Sequence, residues 1–189
     1  MTSRQCLSLR IASLALLALA TTSVASAQCV CSAGTCGQTI IGTSGNDSLA
    51  GSPSLNDCVY GLAGADEIYT YAGDDFIDGG DGSDTLLNAG DGTDCVCGGY
   101  GDDSIDGRDG TDTLDGLQDN DWIHGGGMAD TIYGYDGNDH LTGDTGNDTM
   151  FGENGDDTLN GSSQNTGGAD ICDGGAGTDT FSDCETIYP

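Results

Sequence analysis

Positive charge is nearly absent from this chain. Its 189 residues hold three Lys plus Arg against 32 Asp plus Glu. Nucleic acids and anionic membrane surfaces are recognised through Lys and Arg, so no nucleic-acid partner is expected. A surface this acidic attracts cations instead. Long apolar runs are also missing. The one at residues 11–20 is too short to span a bilayer, so no membrane span is expected. Aromatic residues make up 6%, and the only histidines are His124 and His140. No Ser-x-Gly elbow, phosphate loop or separate catalytic domain is visible, and the chain reads as a non-enzyme. So acidic a composition would suit disorder; periodic apolar residues and phased glycines speak against it.

Residues 1–27 read as a secretory signal peptide. Arg4 and Arg10 form its charged end, and Ala25-Ser26-Ala27 is a small-x-small cleavage site. Gln28 would open the mature chain, with Arg108 its one basic residue. Cys29 raises a lipid-attachment alternative, for which Gln28 is a poor neighbour. The expected location is secreted, either extracellular or periplasmic, where disulfides persist. Cys6 leaves with the leader. Cys29, Cys31, Cys36, Cys58, Cys95, Cys97, Cys172 and Cys184 remain. Their even number suits disulfides; thiolate metal sites at Cys29/Cys31 and Cys95/Cys97 compete, without a closely spaced His in support.

What the chain has in abundance is phased. Glycine contributes 34 residues. Asp94, Asp103, Asp112, Asp121, Asp130, Asp139, Asp148 and Asp157 fall nine residues apart without a slip. Two places after each sits an apolar residue, as in Ile105, Leu114, Ile123 and Ile132. The unit reads G-x-x-G-x-D-x-U-x, with U a large apolar residue. Gly134-Tyr135-Asp136-Gly137-Asn138-Asp139-His140-Leu141-Thr142 is an example.

This pattern resembles the nonapeptide repeat of the RTX, or hemolysin-type calcium-binding, family. The likeness covers about fifteen units over residues 42–182. A cysteine-rich N-terminal cap at 28–41 and a C-terminal cap at 183–189 flank them. An N-terminal leader departs from the C-terminal export signal usual in the family. Units starting at Gly51 and Asn88 carry one extra residue, and the unit from Gly161 carries a polar insertion at 162–167.

Glycine at the first and fourth places permits the positive φ of a tight turn. The closing x-U-x alternates like a short strand. Two units then make an 18-residue coil with a turn on each side. Stacked coils form two parallel sheets with the U side chains packed between them. The expected fold is all-β. It is the family's parallel β-roll, a two-sheet right-handed solenoid of nine-residue units with small disulfide-stapled caps. A helix fails on its glycine content and on U residues recurring only every nine. One large apolar residue in nine is little to offset the cost of ordering the chain, and carboxylates crowd the turns. Such a roll should need divalent cations.

Stacking brings the sixth-place Asp of one unit beside that of the unit two later. Asp103 should face Asp121, and Asp112 should face Asp130. Paired carboxylates with turn carbonyls suit Ca²⁺, which takes six to eight oxygens flexibly, better than Mg²⁺. The resemblance implies the same: several calcium ions bound at Asp47, Asp57, Asp66, Asp75, Asp84, Asp94, Asp103, Asp112, Asp121, Asp130, Asp139, Asp148, Asp157, Asp170 and Asp179. The plain alternative is Asp as a turn filler. Thirteen sandwiched sites are the ceiling for fifteen units on two sides, and roughly eight to eleven are expected to fill. Leu55, Asp119 and Met128 replace a fourth-place Gly, and Thr70 an opening one.

Cysteine phase bears on the ends. Cys172 lies at the inward U place, and Cys184 opens the next half-coil one rung away. A rung of about 4.8 Å fits the Cα separation of a disulfide, and similar repeat ends in the family often carry such a pair. Cys172–Cys184 is therefore expected, against a buried free thiol at Cys172. Cys58 and Cys95 lie two rungs apart, so Cys58 leans toward the N-terminal cap and Cys36. Outward strand places put His124 and His140 near Trp122 on one sheet. Tyr60, Phe76, Tyr133 and Phe151 fall on the other. The first set reads as a glycan or metal patch or as exposed strand residues, and the second as a surface for a partner or a glycan or as isolated exposed residues. The functional reading is a secreted non-catalytic calcium-binding protein that folds on Ca²⁺ and serves as a surface, matrix or interaction module. The alternatives are a module or enzyme acting on acidic polysaccharide, and an ice-binding roll, which lacks a flat Thr ladder.

Overall fold

A computed structural model describes residues 34–161 and 169–188. The expected signal peptide, Cys29, Cys31 and the insertion at 162–167 lie outside the described residues. All regular structure among the described residues is strand. The strands are β1 (Gln38–Ile41), β2 (Ser48–Ala50), β3 (Asp57–Ala63), β4 (Glu67–Tyr69), β5 (Phe76–Asp81), β6 (Leu86–Gly92), β7 (Cys95–Tyr100), β8 (Ser104–Gly110) and β9 (Thr113–Gln118). They continue with β10 (Trp122–Gly127), β11 (Thr131–Asp136), β12 (His140–Thr145), β13 (Thr149–Asn154), β14 (Thr158–Asn160), β15 (Ile171–Asp173), β16 (Thr180–Ser182) and β17 (Thr186–Tyr188).

Odd-numbered strands form a nine-stranded sheet and even-numbered strands an eight-stranded one, each in chain order. Every pairing is parallel, and each strand pairs with the strands two before and two after it. Ile105, Ile123 and Leu141 are consecutive partners. The nine-residue unit sets this register: two units close one coil, so like places stack. No helix among the described residues is long and apolar enough to cross a membrane.

The U side chains make the core between the sheets. Val59, Ile68, Ile77, Leu87, Val96, Ile105, Leu114, Ile123, Ile132, Leu141, Met150, Leu159 and Cys172 are fully buried. A one-residue slip in a strand would turn a whole set outward, and the chain corrects for one at its extra residue. Counting two places after Asp84 points to Leu86 as the inward residue. Leu87 is the buried one, paired with Ile68 and Ile105. The extra residue is therefore absorbed between Asp84 and Leu87, and Ala89 rather than Asn88 takes the place of the opening Gly.

Strand pairing runs past both ends of the expected repeat region. β1 lies in the stretch read as a cap and pairs with β3; β17 pairs with β15. Disulfides fasten both ends. Cys36–Cys58 and Cys172–Cys184 are bonded at Cα separations of 5.6 and 6.1 Å, as the cysteine phase suggests. Cys95 and Cys97 are also disulfide-bonded, which removes them as thiolate metal ligands.

The aromatics on the outer face of the nine-stranded sheet are not isolated. Phe76 is buried and packs with Cys58, Cys95, Cys97 and Leu117 in a second apolar cluster that Tyr60 and Tyr135 adjoin. The rings of Tyr60 and Phe76 are 5.6 Å apart, and those of Tyr133 and Phe151 stack at 5.0 Å. Ring-to-ring attraction between neighbouring rungs explains this: same-face residues stand one strand spacing apart.

Candidate metal centres

The turns carry the aspartates in two columns, one at each edge of the roll. Asp57, Asp75, Asp94, Asp112, Asp130, Asp148 and Asp170 form one. Asp47, Asp66, Asp84, Asp103, Asp121, Asp139, Asp157 and Asp179 form the other. Within a column, the backbone N–H of each Asp donates to Oδ1 of the Asp one rung later. The distance is 2.9 Å from Asp103 to Asp121 and 2.9 Å from Asp112 to Asp130. The same bond links the other rungs. It fixes each carboxylate's rotation and leaves its second oxygen free for another partner.

In thirteen of the fifteen aspartates one carboxylate oxygen is buried and accepts no hydrogen bond; the exceptions are Asp47 and Asp179, at the two ends of one column. A buried acceptor without a partner is costly, and a column of them is costlier. Burial pushes the carboxyl groups of Asp75, Asp84, Asp94, Asp103, Asp112, Asp121, Asp130, Asp139, Asp148 and Asp157 up from the usual 3.8. The neighbouring carboxylates push the same way, while the N–H of the preceding rung holds them down. Asp121 reaches about 9, Asp103 and Asp112 about 8, and Asp94, Asp130 and Asp139 about 7. Asp84 and Asp148 reach about 6.

The opening glycines have a different purpose from the one their position in the repeat suggests. None from Gly98 to Gly161 has a positive φ. Left-handed backbone falls on the fourth place, as expected, and also on the second, where non-glycine residues hold it, among them Leu62, Tyr71, Arg108, Leu117, Tyr135, Asp144 and Glu153. The opening glycine instead keeps space. A Cβ at Gly98 would lie 2.4 Å from Asp103 Oδ2 and 2.8 Å from the Gly116 carbonyl oxygen. At Gly107, Gly125, Gly134, Gly143 and Gly152 too, the gap is lined by a carboxylate oxygen and the carbonyl oxygen of the next rung. Thr70 occupies one of these places; its buried hydroxyl donates to the Ala89 carbonyl.

The polar atoms beside these gaps are oxygens, which fits a hard divalent cation. Among the described residues, no three His, Cys, Asp or Glu side chains gather round one point. The carboxylates come in pairs, and carbonyls must complete any shell. A second polar ladder escaped the sequence reading. Side chains at the fifth place accept from the backbone N–H one rung later, opposite in direction to the Asp columns. Asp102 accepts from Asn120, Asn120 from Asn138, and Asn138 from Asp156. The signal was the recurrent Asn, Asp and Ser just before the sixth-place Asp. On the eight-stranded sheet, the Trp122 and His140 rings are 4.5 Å apart and His124 Nδ1 lies 3.2 Å from Asp144 Oδ2.

The family comparison decides among the cations. The RTX calcium-binding nonapeptide repeat family matches the chain in successive, partly overlapping segments from residue 37 to 181. The chain belongs to this family. A comparison with curated proteins finds no match. This RTX roll is therefore a calcium-binding repeat module, and its oxygen-lined gaps can be tested one at a time. Gly134→Ala would place a methyl 2.3 Å from Asp139 Oδ2 and 2.9 Å from the Gly152 carbonyl oxygen. We expect a loss of about 1–3 kcal/mol in urea unfolding at saturating calcium, typical of overpacking. Gly34→Ala, with nothing within 4 Å of the added carbon, should be neutral.

Proposed function

We propose that this chain is a secreted, non-catalytic calcium-binding roll whose two Asp columns hold the ions and whose fold forms on external calcium. The observation that carries this reading is the set of buried carboxylate oxygens without a hydrogen-bond partner. The residues proposed to bind are Asp47, Asp57, Asp66, Asp75, Asp84, Asp94, Asp103, Asp112, Asp121, Asp130, Asp139, Asp148, Asp157, Asp170 and Asp179. Bound calcium supplies positive charge between facing carboxylates and uses coordination to meet their remaining lone pairs. The chain's own residues do the rest. Rung-to-rung N–H donors orient each carboxylate, opening glycines hold the gap, and the U stack keeps successive turns in register.

The ordered roll would then serve as a surface, matrix or interaction module, with a glycan or another surface protein as partner. Exposed Trp122 and the half-exposed Tyr133–Phe151 stack support that part. The disulfides support export to an oxidising space. Equilibrium dialysis of the full secreted chain with radioactive calcium tests the reading. Roughly eight to eleven ions per chain are expected, at affinities of about 10⁻⁴–10⁻³ M. Binding of no more than one ion would overturn it.

A further inference from the structure

The last turn of the roll departs from the repeat. Regular rungs place partner aspartates 18 or 19 residues apart, as Asp112 and Asp130 are. Beyond Asp170 the chain has no Asp at that distance. Instead the Asp170 N–H donates to Glu185 Oε2 at 2.7 Å, only 15 residues on. The register explains how. Ile171 pairs with Thr186, so Glu185 occupies the sixth place of a turn shortened by three residues. The first place of that turn is taken by Asp183. The Gly161 N–H donates to the Ser182 carbonyl at 2.9 Å, as Gly42 does to Tyr60 one full rung on. A Cβ at Gly161 would meet the Asp183 carbonyl oxygen at 2.2 Å and Asp170 Oδ2 at 2.7 Å. The same point at Gly98 meets the Gly116 carbonyl oxygen and Asp103 Oδ2.

We propose that Asp170, Glu185 and the carbonyl of Asp183 form a terminal calcium site outside the nonapeptide pattern. It rests on the reading of the Asp columns as calcium ligands. Asp170 is fully buried, and its Oδ2 accepts no hydrogen bond. The cradle around it is that of the regular rungs, yet the family match ends at residue 181. Glutamate suits the place because a shortened turn needs a longer side chain to bring its carboxylate level with Asp170. Cys184 stands between the two donors of this turn, and its bridge to Cys172 ties the turn to the core. The site thus extends the column past Asp170, where Tyr188 and Pro189 stand at the usual spacing in place of an Asp.

Amide exchange of the full secreted chain during calcium titration tests this, with calcium counted by dialysis alongside. Glu185 is exposed, so Glu185→Gln leaves the core untouched. In E185Q the calcium needed to protect residues 169–188 should rise roughly tenfold, and about one ion should be lost, since charge count sets affinity at such sites. Protection in β8 to β12 should keep its wild-type midpoint. Glu185→Asp, one methylene shorter, should fall in the same direction. An unchanged ion count and midpoint in E185Q, with calcium-dependent protection elsewhere intact, would overturn this site alone. Wild-type chain without calcium-dependent protection anywhere would overturn the wider reading and this site with it.

Discussion

Chelating calcium at pH 8 should abolish most of the β signal of this protein, and returning calcium should restore it. The expected size is that of global unfolding. The core offers one large side chain per nine residues, stacked in a single file between the sheets. That is a thin return for ordering the chain between them. Several second-place residues also hold left-handed backbone without being glycine, at about 1–2 kcal/mol each. Above all, the two columns bury carboxylates beside carboxylates. With the ions gone, their repulsion and lost solvation fall on every rung at once. Far-UV circular dichroism during calcium titration, after exhaustive chelation, is the measurement. Magnesium at equal concentration should restore little, because it keeps its water and demands stricter geometry. A full β spectrum in excess chelator, indifferent to calcium, would refute the folding dependence.

Acid should substitute for calcium. Burial raises Asp84, Asp94, Asp103, Asp112, Asp121, Asp130, Asp139 and Asp148 to between about 6 and about 9 in the folded chain. Their unfolded value is near 3.8. The folded chain therefore binds more protons across that window, and its stability falls as pH rises. Without calcium, the contribution of these groups is fully present below about pH 4. It is lost progressively as pH passes through the raised values. Chelated protein should show β structure near pH 4–5 and lose it by pH 9. With calcium the dependence reverses, because protons and calcium compete for the same oxygens. A pH titration of the dichroism in chelator decides. A flat, unfolded signal from pH 4 to 9 would show that carboxylate charge is not what opposes the apo fold.

The parts legible from the residues are those that repeat. A nine-residue period makes like places stack, whatever the neighbours. Hence the two parallel sheets, the inward U residues and the facing of Asp103 with Asp121 could all be read from spacing. Cys172–Cys184 could be read too, since one rung suits a disulfide and both residues have a definite phase.

What breaks the period needed the folded chain. An inserted residue near Asp84 can be absorbed before the strand or after it, and only burial of Leu87 in the file, with Leu86 paired to Glu67, places it before the strand. The opening glycine looks like a turn residue until the gap beside Asp103 is seen. Its requirement is space across rungs, which spacing along the chain does not reveal. Phe76 sits at an outward place by count, yet its neighbours are the cysteines of other rungs, and contact with them buries it.

Glu185 marks the boundary most plainly. Nothing in its spacing resembles the roughly fifteen units before it. Its carboxylate reaches Asp170 because a shortened turn and a bridged Cys184 bring it there. By itself the sequence determined what recurs: period, sheet partners, core file and the chemistry of the columns. Tertiary structure alone decided what ends them. A column is finished by whichever oxygen the last turn can deliver, and that depends on distance in space.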